Sequence, residues 1–223
     1  LDPPTEANFT NHGRARGVAT RMERAWSDND RTRGYIYRRT SRFEVPNELL
    51  QQQVGQRQQR TAGEWLGQLS HQHVFATPVL LHAGAMLRDT SATLSSNALS
   101  VPIRAAQDHG FREAYVNASL TVSRGRHELK VGGELSDVDV REQFASTVTA
   151  RRLLGVRVFD SDIPADFVFD GTRTGNEGAV YAQDTIRSGR ATLEAGVRID
   201  RYRLMVDETA VSPRLSAAWQ LRP

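Results

Sequence analysis

The chain has 223 residues, a mean hydropathy of -0.51 and no run approaching about 18 apolar residues, which excludes a transmembrane helix. It contains no cysteine, so a disulfide framework and a thiolate metal site are both excluded. The net charge of +3 is carried almost entirely by arginines spread along the chain and interleaved with acids, with Lys130 the single lysine. A nucleic-acid binder would gather its cations on one face or tail, so these read as solvated or lumenal charges.

Alternation of apolar and polar residues, the mark of a strand with one apolar face, recurs along the chain. The first strand is expected over residues 13–26, turned by Asp28-Asn29-Asp30, and the second over 32–43. A long connection follows, with Pro46, Asn47 and the Gln-rich stretch 51–59; residues 49–59 could hold a short helix, as could 147–154. The third strand covers 62–75 and turns at Thr77-Pro78 into the fourth, 79–88, where Leu81, Ala83, Ala85 and Leu87 share a face. A Ser/Asn/Pro-containing loop is expected over 89–110. The fifth strand, 111–123, aligns Val116, Ala118, Leu120 and Val122. Arg124-Gly125-Arg126 turns it into the sixth, which aligns Leu129, Val131, Gly133 and Leu135.

The longest connection, 141–177, leads to a hairpin over 179–202 joined at Ser188-Gly189. In its second half Leu193, Ala195, Val197 and Ile199 oppose Glu194, Arg198 and Asp200. A loop at 206–208 precedes the ninth strand, 211–221. Nine antiparallel strands with short turns at one end and long loops at the other describe an all-β, up-and-down outer-membrane barrel, in which half of each strand is polar and hydropathy averages the signal away. Trp26, Tyr37, Trp65, Phe75, Tyr202 and Trp219 sit near strand ends, where interfacial girdles would place aromatics.

Several segments resemble the TonB-dependent outer-membrane receptors. Tyr181-Ala182-Gln183-Asp184, a short turn and Leu193-Glu194-Ala195-Gly196-Val197-Arg198-Ile199-Asp200-Arg201-Tyr202 are similar to a hairpin common in that family. Ser212-Pro213-Arg214-Leu215 and the segment 125–134 extend the likeness. Val45-Pro46-Asn47-Glu48 with Gly55-Gln56-Arg57 resembles a loop of the large receptors that carry an N-terminal carboxypeptidase-regulatory-like domain. The resemblance implies a 22-stranded plugged barrel of which residues 1–223 form part, with no plug domain. Its partners would be outer-membrane lipid, the remaining barrel and plug of a parent chain, and the inner-membrane TonB complex. The implied function is uptake of a scarce nutrient such as a siderophore, cobalamin or oligosaccharide, without catalysis or a cofactor. Leu1 without a signal peptide and Pro223 directly after a strand both read as cuts in something longer. A plugless porin or adhesin barrel and a soluble carbohydrate-binding β-sandwich are the rival readings.

Few candidate sites emerge. Asp160, Asp162, Asp166 and Asp170, with Phe167 and Phe169, fall in the longest outer loop and are candidates for ligand contact or a hard cation, although the spacing lacks the Gly and terminal Glu of an EF-hand. Glu194, Arg198 and Asp200 are expected to face the lumen and to pair across strands. His71 and His73 share a strand face but have no third ligand nearby in sequence, so no metal site is expected. No hydrolase, zincin or phosphate-loop motif is present. Asn8-Phe9-Thr10 and Asn117-Ala118-Ser119 match the glycosylation pattern, which is common by chance, and the second would sit mid-strand.

Overall fold

A computed structural model describes residues 12–76, 78–203 and 206–221. Among them, nine long strands form one antiparallel, up-and-down open sheet: β1 (Gly13–Ala25), β2 (Asp30–Glu44), β3 (Gln58–Ala76), β4 (Val79–Ser96), β5 (Ile103–Arg124), β6 (His127–Val148), β9 (Asp166–Ser188), β10 (Ala191–Arg203) and β11 (Asp207–Trp219). The minor pair β7 (Arg152–Leu153) and β8 (Val156–Arg157) lies in the β6–β9 connection. The one helix among the described residues, α1 (Leu49–Gln53), occupies part of the expected helical stretch and starts with a capping box between Glu48 and Gln51.

Two of the short turns owe their tightness to glycine. Gly125 and Gly189 open the β5–β6 and β9–β10 hairpins with φ of 64° and 60°, while the arginines that follow keep negative φ. Glycine at the first position of a two-residue loop is the signature of a type II′ turn, whose twist matches that of the flanking strands. The turn expected at Thr77-Pro78 lies partly outside the described residues, as does Asn8-Phe9-Thr10 wholly.

Register places the four apolar rows read from the sequence on a single face. Ala83 pairs with Ala118, Ala118 with Gly133, Gly133 with Val180, Val180 with Ile199 and Ile199 with Val211. Directly paired residues in an antiparallel ladder project to the same side, so the apolar side chains form one continuous belt and the polar ones its reverse. Trp26, Phe75 and Trp219 border the belt at the short-turn end and Trp65 at the other, as expected. Tyr37 and Tyr202 do not; they lie on the polar face, opposite Ile36 and Ile199 in the alternation.

Among the described residues there is almost no core. Its accessible surface is 15916 Å², against about 10,000 Å² for a globular protein of 24.9 kDa. None of the belt residues named above is buried, and the larger ones stand well exposed, Val180 at 59% and Leu135 at 64%. A β-sandwich would cover this face with a second sheet, and none is present among the described residues.

The strands run further from the short turns than the sequence suggests. The connection expected at 89–110 shrinks to 97–102, and that at 141–177 to 149–165, because β4, β5, β6 and β9 extend into both. The possible helix at 147–154 is instead the end of β6 followed by β7, and the loop at 206–208 is already strand from Asp207.

Candidate functional site

On the polar face four strands converge on one charged cluster. Glu134 of β6 and Asp200 of β10 both pair with Ala179 of β9. Ala179 is small and buried, so the Arg198 side chain can cross β9 above it. There the Arg198 guanidinium donates from Nε to Asp200 Oδ1 at 2.8 Å and from its Nη2 to Glu134. Tyr115 of β5 donates its hydroxyl to Glu134 Oε2 at 2.7 Å. Asp200 is buried, and the arginine is the partner that makes this tolerable. Of the expected polar-face residues, Arg198 and Asp200 therefore meet each other. Glu194 stands two rows nearer the short turn, between Thr185 and Ser216.

At the long-loop end three connections are fastened by buried amides. Asn47 and Gln56 are almost completely buried and bond reciprocally: Asn47 Nδ2 donates to the Gln56 carbonyl at 2.7 Å, and Gln56 Nε2 to Asn47 Oδ1 at 3.3 Å. The remaining Gln56 oxygen accepts the Val101 amide of the next loop at 2.9 Å. Asn97 repeats the device, donating to the Gly55 carbonyl at 2.9 Å and accepting the Arg57 amide at 3.1 Å. Ser100, fully buried, presents its carbonyl to Thr149 Oγ1 at 2.6 Å and so engages the third loop. The motif residues 45–48 and 55–57 are thus the hinge plate of the loop cluster.

The acidic stretch of the third loop is not one cluster. Asp160 lies 3.6 Å from Arg157, and Arg151 clasps the Asp160 and Ile163 carbonyls. Asp166 and Asp170, expected in a loop, are in β9 and pair with Thr147 and Gln143, whose side chains bond them at 2.8 and 3.2 Å. Strand alternation sends Phe167 and Phe169 to the opposite face, where Phe167 meets Phe144 at 5.9 Å. Asp162 remains in the loop and exposed.

Near the short-turn end, on the apolar face, the expectation for the histidines is overturned in one respect: a third potential ligand is present. Register sets Asp30 opposite His73 and Thr32 opposite His71. Asp30 Oδ1 lies 2.5 Å from His73 Nδ1 and 3.6 Å from His71 Nε2. Thr32 Oγ1 is 2.9 Å from His71 Nδ1.

An open antiparallel sheet with an exposed apolar belt, aromatic borders, a polar reverse and ordered loops at one end is a section of a transmembrane β-barrel wall. The chain matches the TonB dependent receptor-like β-barrel family over residues 3–223 and belongs to it. That family consists of bacterial outer-membrane transporters, not enzymes. No curated protein matches the chain. Among solved structures it is similar to the ferric citrate transporter FecA (TM-score 0.68, 13% identity, 96% of this chain and 35% of that one). It is also similar to the ferric-catecholate import receptor Fiu from E. coli K12 (0.61, 11%, 94% and 38%) and to a structure of the RagAB peptide importer (0.60, 8%, 92% and 30%). At these identities the likeness is one of fold. The chain spans about a third of the length of these proteins.

Proposed function

We propose that this chain is about nine strands of a plugged outer-membrane barrel that takes up a scarce, bulky nutrient, a metal chelate or a peptide being the classes its structural relatives carry. The observation that supports it most is the register, which stacks the apolar rows of separate strands into a belt that only lipid can cover. In this reading the polar face lines the lumen and the Tyr115–Glu134–Arg198–Asp200 cluster stiffens the wall beside the plug. The short turns face the periplasm, and the loop cluster faces outside and meets the nutrient. The resemblance of residues 45–48 and 55–57, whose Asn47 and Gln56 bond each other, supports membership of the receptors with an N-terminal carboxypeptidase-regulatory-like domain. The TonB complex would act through a plug lying outside residues 1–223.

The test is the intact mass of the native gene product in an outer-membrane fraction. A mass several-fold above 24.9 kDa is expected; a mass near that value overturns the plugged-barrel reading. Orientation is tested with single cysteines placed in residues 1–223, which contain none, each read against the unsubstituted gene product. Leu154→Cys in the outer loop should react with a membrane-impermeant maleimide on intact cells, and Arg126→Cys should not. The reverse pattern would invert the assignment.

A further inference from the structure

Two carboxylate–imidazole groups interrupt the apolar face near the short turns, and the larger of them joins three residues. Asp30, His71 and His73 project to the same side as Leu69 and Leu81 and lie between Trp26 and Phe75 of the aromatic border. β3 ends at Ala76, so His73 and His71 stand three and five residues inside that end. On the neighbouring strands β4 and β5 the same depth is occupied by Leu81, Ala83, Ala118 and Leu120. Ionisable groups facing lipid are costly and persist where a partner offsets the cost.

We infer that Asp30, His71 and His73 form a divalent transition-metal site, of zinc type, clamping β2 to β3 at the periplasmic border of the apolar belt. One ligand atom from each residue lies within 4.8 Å of the other two. The carboxylate sits 2.5 Å from one imidazole nitrogen and 3.6 Å from the other, so a small opening of the first pair admits an ion between all three. Two imidazoles and one carboxylate suit zinc or a neighbouring transition ion, and an all-oxygen calcium or magnesium shell is ruled out by the nitrogens. The fourth position would fall to water.

The surroundings already hold the ligands as a metal would need them. Thr32 Oγ1 engages His71 Nδ1, which leaves Nε2 as the nitrogen aimed at Asp30. Thr32 in turn accepts Trp26 Nε1–H at 2.9 Å, fixing its own position. Outer hydrogen bonds of this kind set the tautomer and orientation of ligating histidines. The His73 ring rests edge-on against Phe75, with centroids 4.3 Å apart. Asp30 is also held from the turn, by Ser27 Oγ at 2.7 Å.

His127 and Asp184 supply an internal contrast. They too are paired across strands on this face near the short turns, at 2.7 Å, but no second imidazole adjoins them among the described residues. The carboxylate–imidazole pair alone is therefore not the distinguishing feature; the His-x-His spacing on β3 is.

The test uses the native gene product in detergent, stripped with a chelator and titrated with cobalt(II). Tetrahedral d–d bands should rise to one equivalent and be bleached by zinc. H71Q and H73Q should each remove them, T32V should weaken binding roughly 10–100-fold, and H127Q should leave them unchanged. Bands absent from the wild type, or surviving in H71Q and H73Q, would overturn the site. Should either histidine variant lose its heat-modifiable fold, zinc-edge X-ray absorption of the wild-type protein decides. A shell with two imidazoles and oxygen supports the assignment, and fewer than two imidazoles refutes it.

Discussion

Gln56→Ala should unlatch the outer loops without unfolding the sheet. The Gln56 side chain makes two bonds from a position that is 3% exposed: it donates to Asn47 Oδ1 and accepts the Val101 amide. Truncation deletes both and leaves the Asn47 oxygen and the Val101 N–H in a cavity with little access to water. A net hydrogen bond is worth about 1 kcal/mol, and an orphaned buried group costs a further 1–3 kcal/mol. With partial rescue by water entering the vacated space, the loss is about 2–3 kcal/mol. This falls on the local opening of the loops, because the ladders below are held by their own backbone bonds. Amide exchange read by mass spectrometry should therefore accelerate roughly 30–160-fold in 45–57 and in 97–102 together. The ladders of β5 and β6 near Gly125 should be unaffected. Exchange that stays at the wild-type rate in 97–102 would show that Gln56 does not tie the two loops, and the cooperative latch would be wrong.

Three further outcomes follow from particular contacts. Val180→Arg places a charge in the middle of the belt and should cost about 2–4 kcal/mol in denaturant unfolding of the lipid-reconstituted protein. Ser216→Arg, on the other face and paired with Glu194, should stay within about 0.5 kcal/mol; equal costs would refute the facial assignment. Arg198→Met strands Glu134 and Asp200 near one another without their cation and should cost about 1–3 kcal/mol, part of it recovered in the double variant with Glu134→Gln. Strict additivity of the two changes would contradict the cluster. At Gly132→Ala, the new Cβ would meet the Tyr181 hydroxyl at 2.6 Å and the Ala118 carbonyl at 2.7 Å. A lowered unfolding midpoint, worth about 1–3 kcal/mol, is expected, and a neutral result would refute the close approach of both Tyr181 and the β5 backbone to this glycine.

The belt was legible because its cause is local: alternate residues of one strand see one solvent. Strand length was not legible, for the same reason. Beyond the bilayer both faces of β4, β5, β6 and β9 see water, so alternation fades over 89–96 and 103–110 while the backbone ladder continues to Ser96 and Ile103. Asp166 and Asp170 read as loop residues on that account. Contacts between distant segments were beyond reach. His71 and His73 announce themselves by spacing, but Asp30 is 43 residues before His73 and joins them only through the β2–β3 register. Arg198 reaches Glu134 over an intervening strand, and nothing in either local pattern marks the pair. The Asn47 and Gln56 segments were recognisable by resemblance, but the reciprocal amide bond that explains them needed the loop fold.

Two properties of the sheet argue that it is built for closure. The ladder row through Thr32, His71, Ala83, Ala118, Gly133, Val180, Ile199 and Val211 crosses eight strands. It begins two residues from the short-turn end of β2 and finishes eight residues from that of β11. A climb of six residues is about 20 Å at 3.3 Å each, over about 34 Å for seven inter-strand steps. The strands therefore tilt by about 30°, close to the range that membrane barrels adopt. The second property is the pair of edges. β1 and β11 each present one side of a 13-residue strand with no ladder partner among the described residues. Each backbone group left unsatisfied in hydrocarbon costs several kcal/mol, so even the portion of the two edges at bilayer depth would cost tens of kcal/mol. That exceeds the 5–15 kcal/mol that holds a typical domain together. An open sheet of this kind cannot rest in a bilayer. The larger barrel proposed above would supply what these two edges lack, a ladder partner for β1 and another for β11.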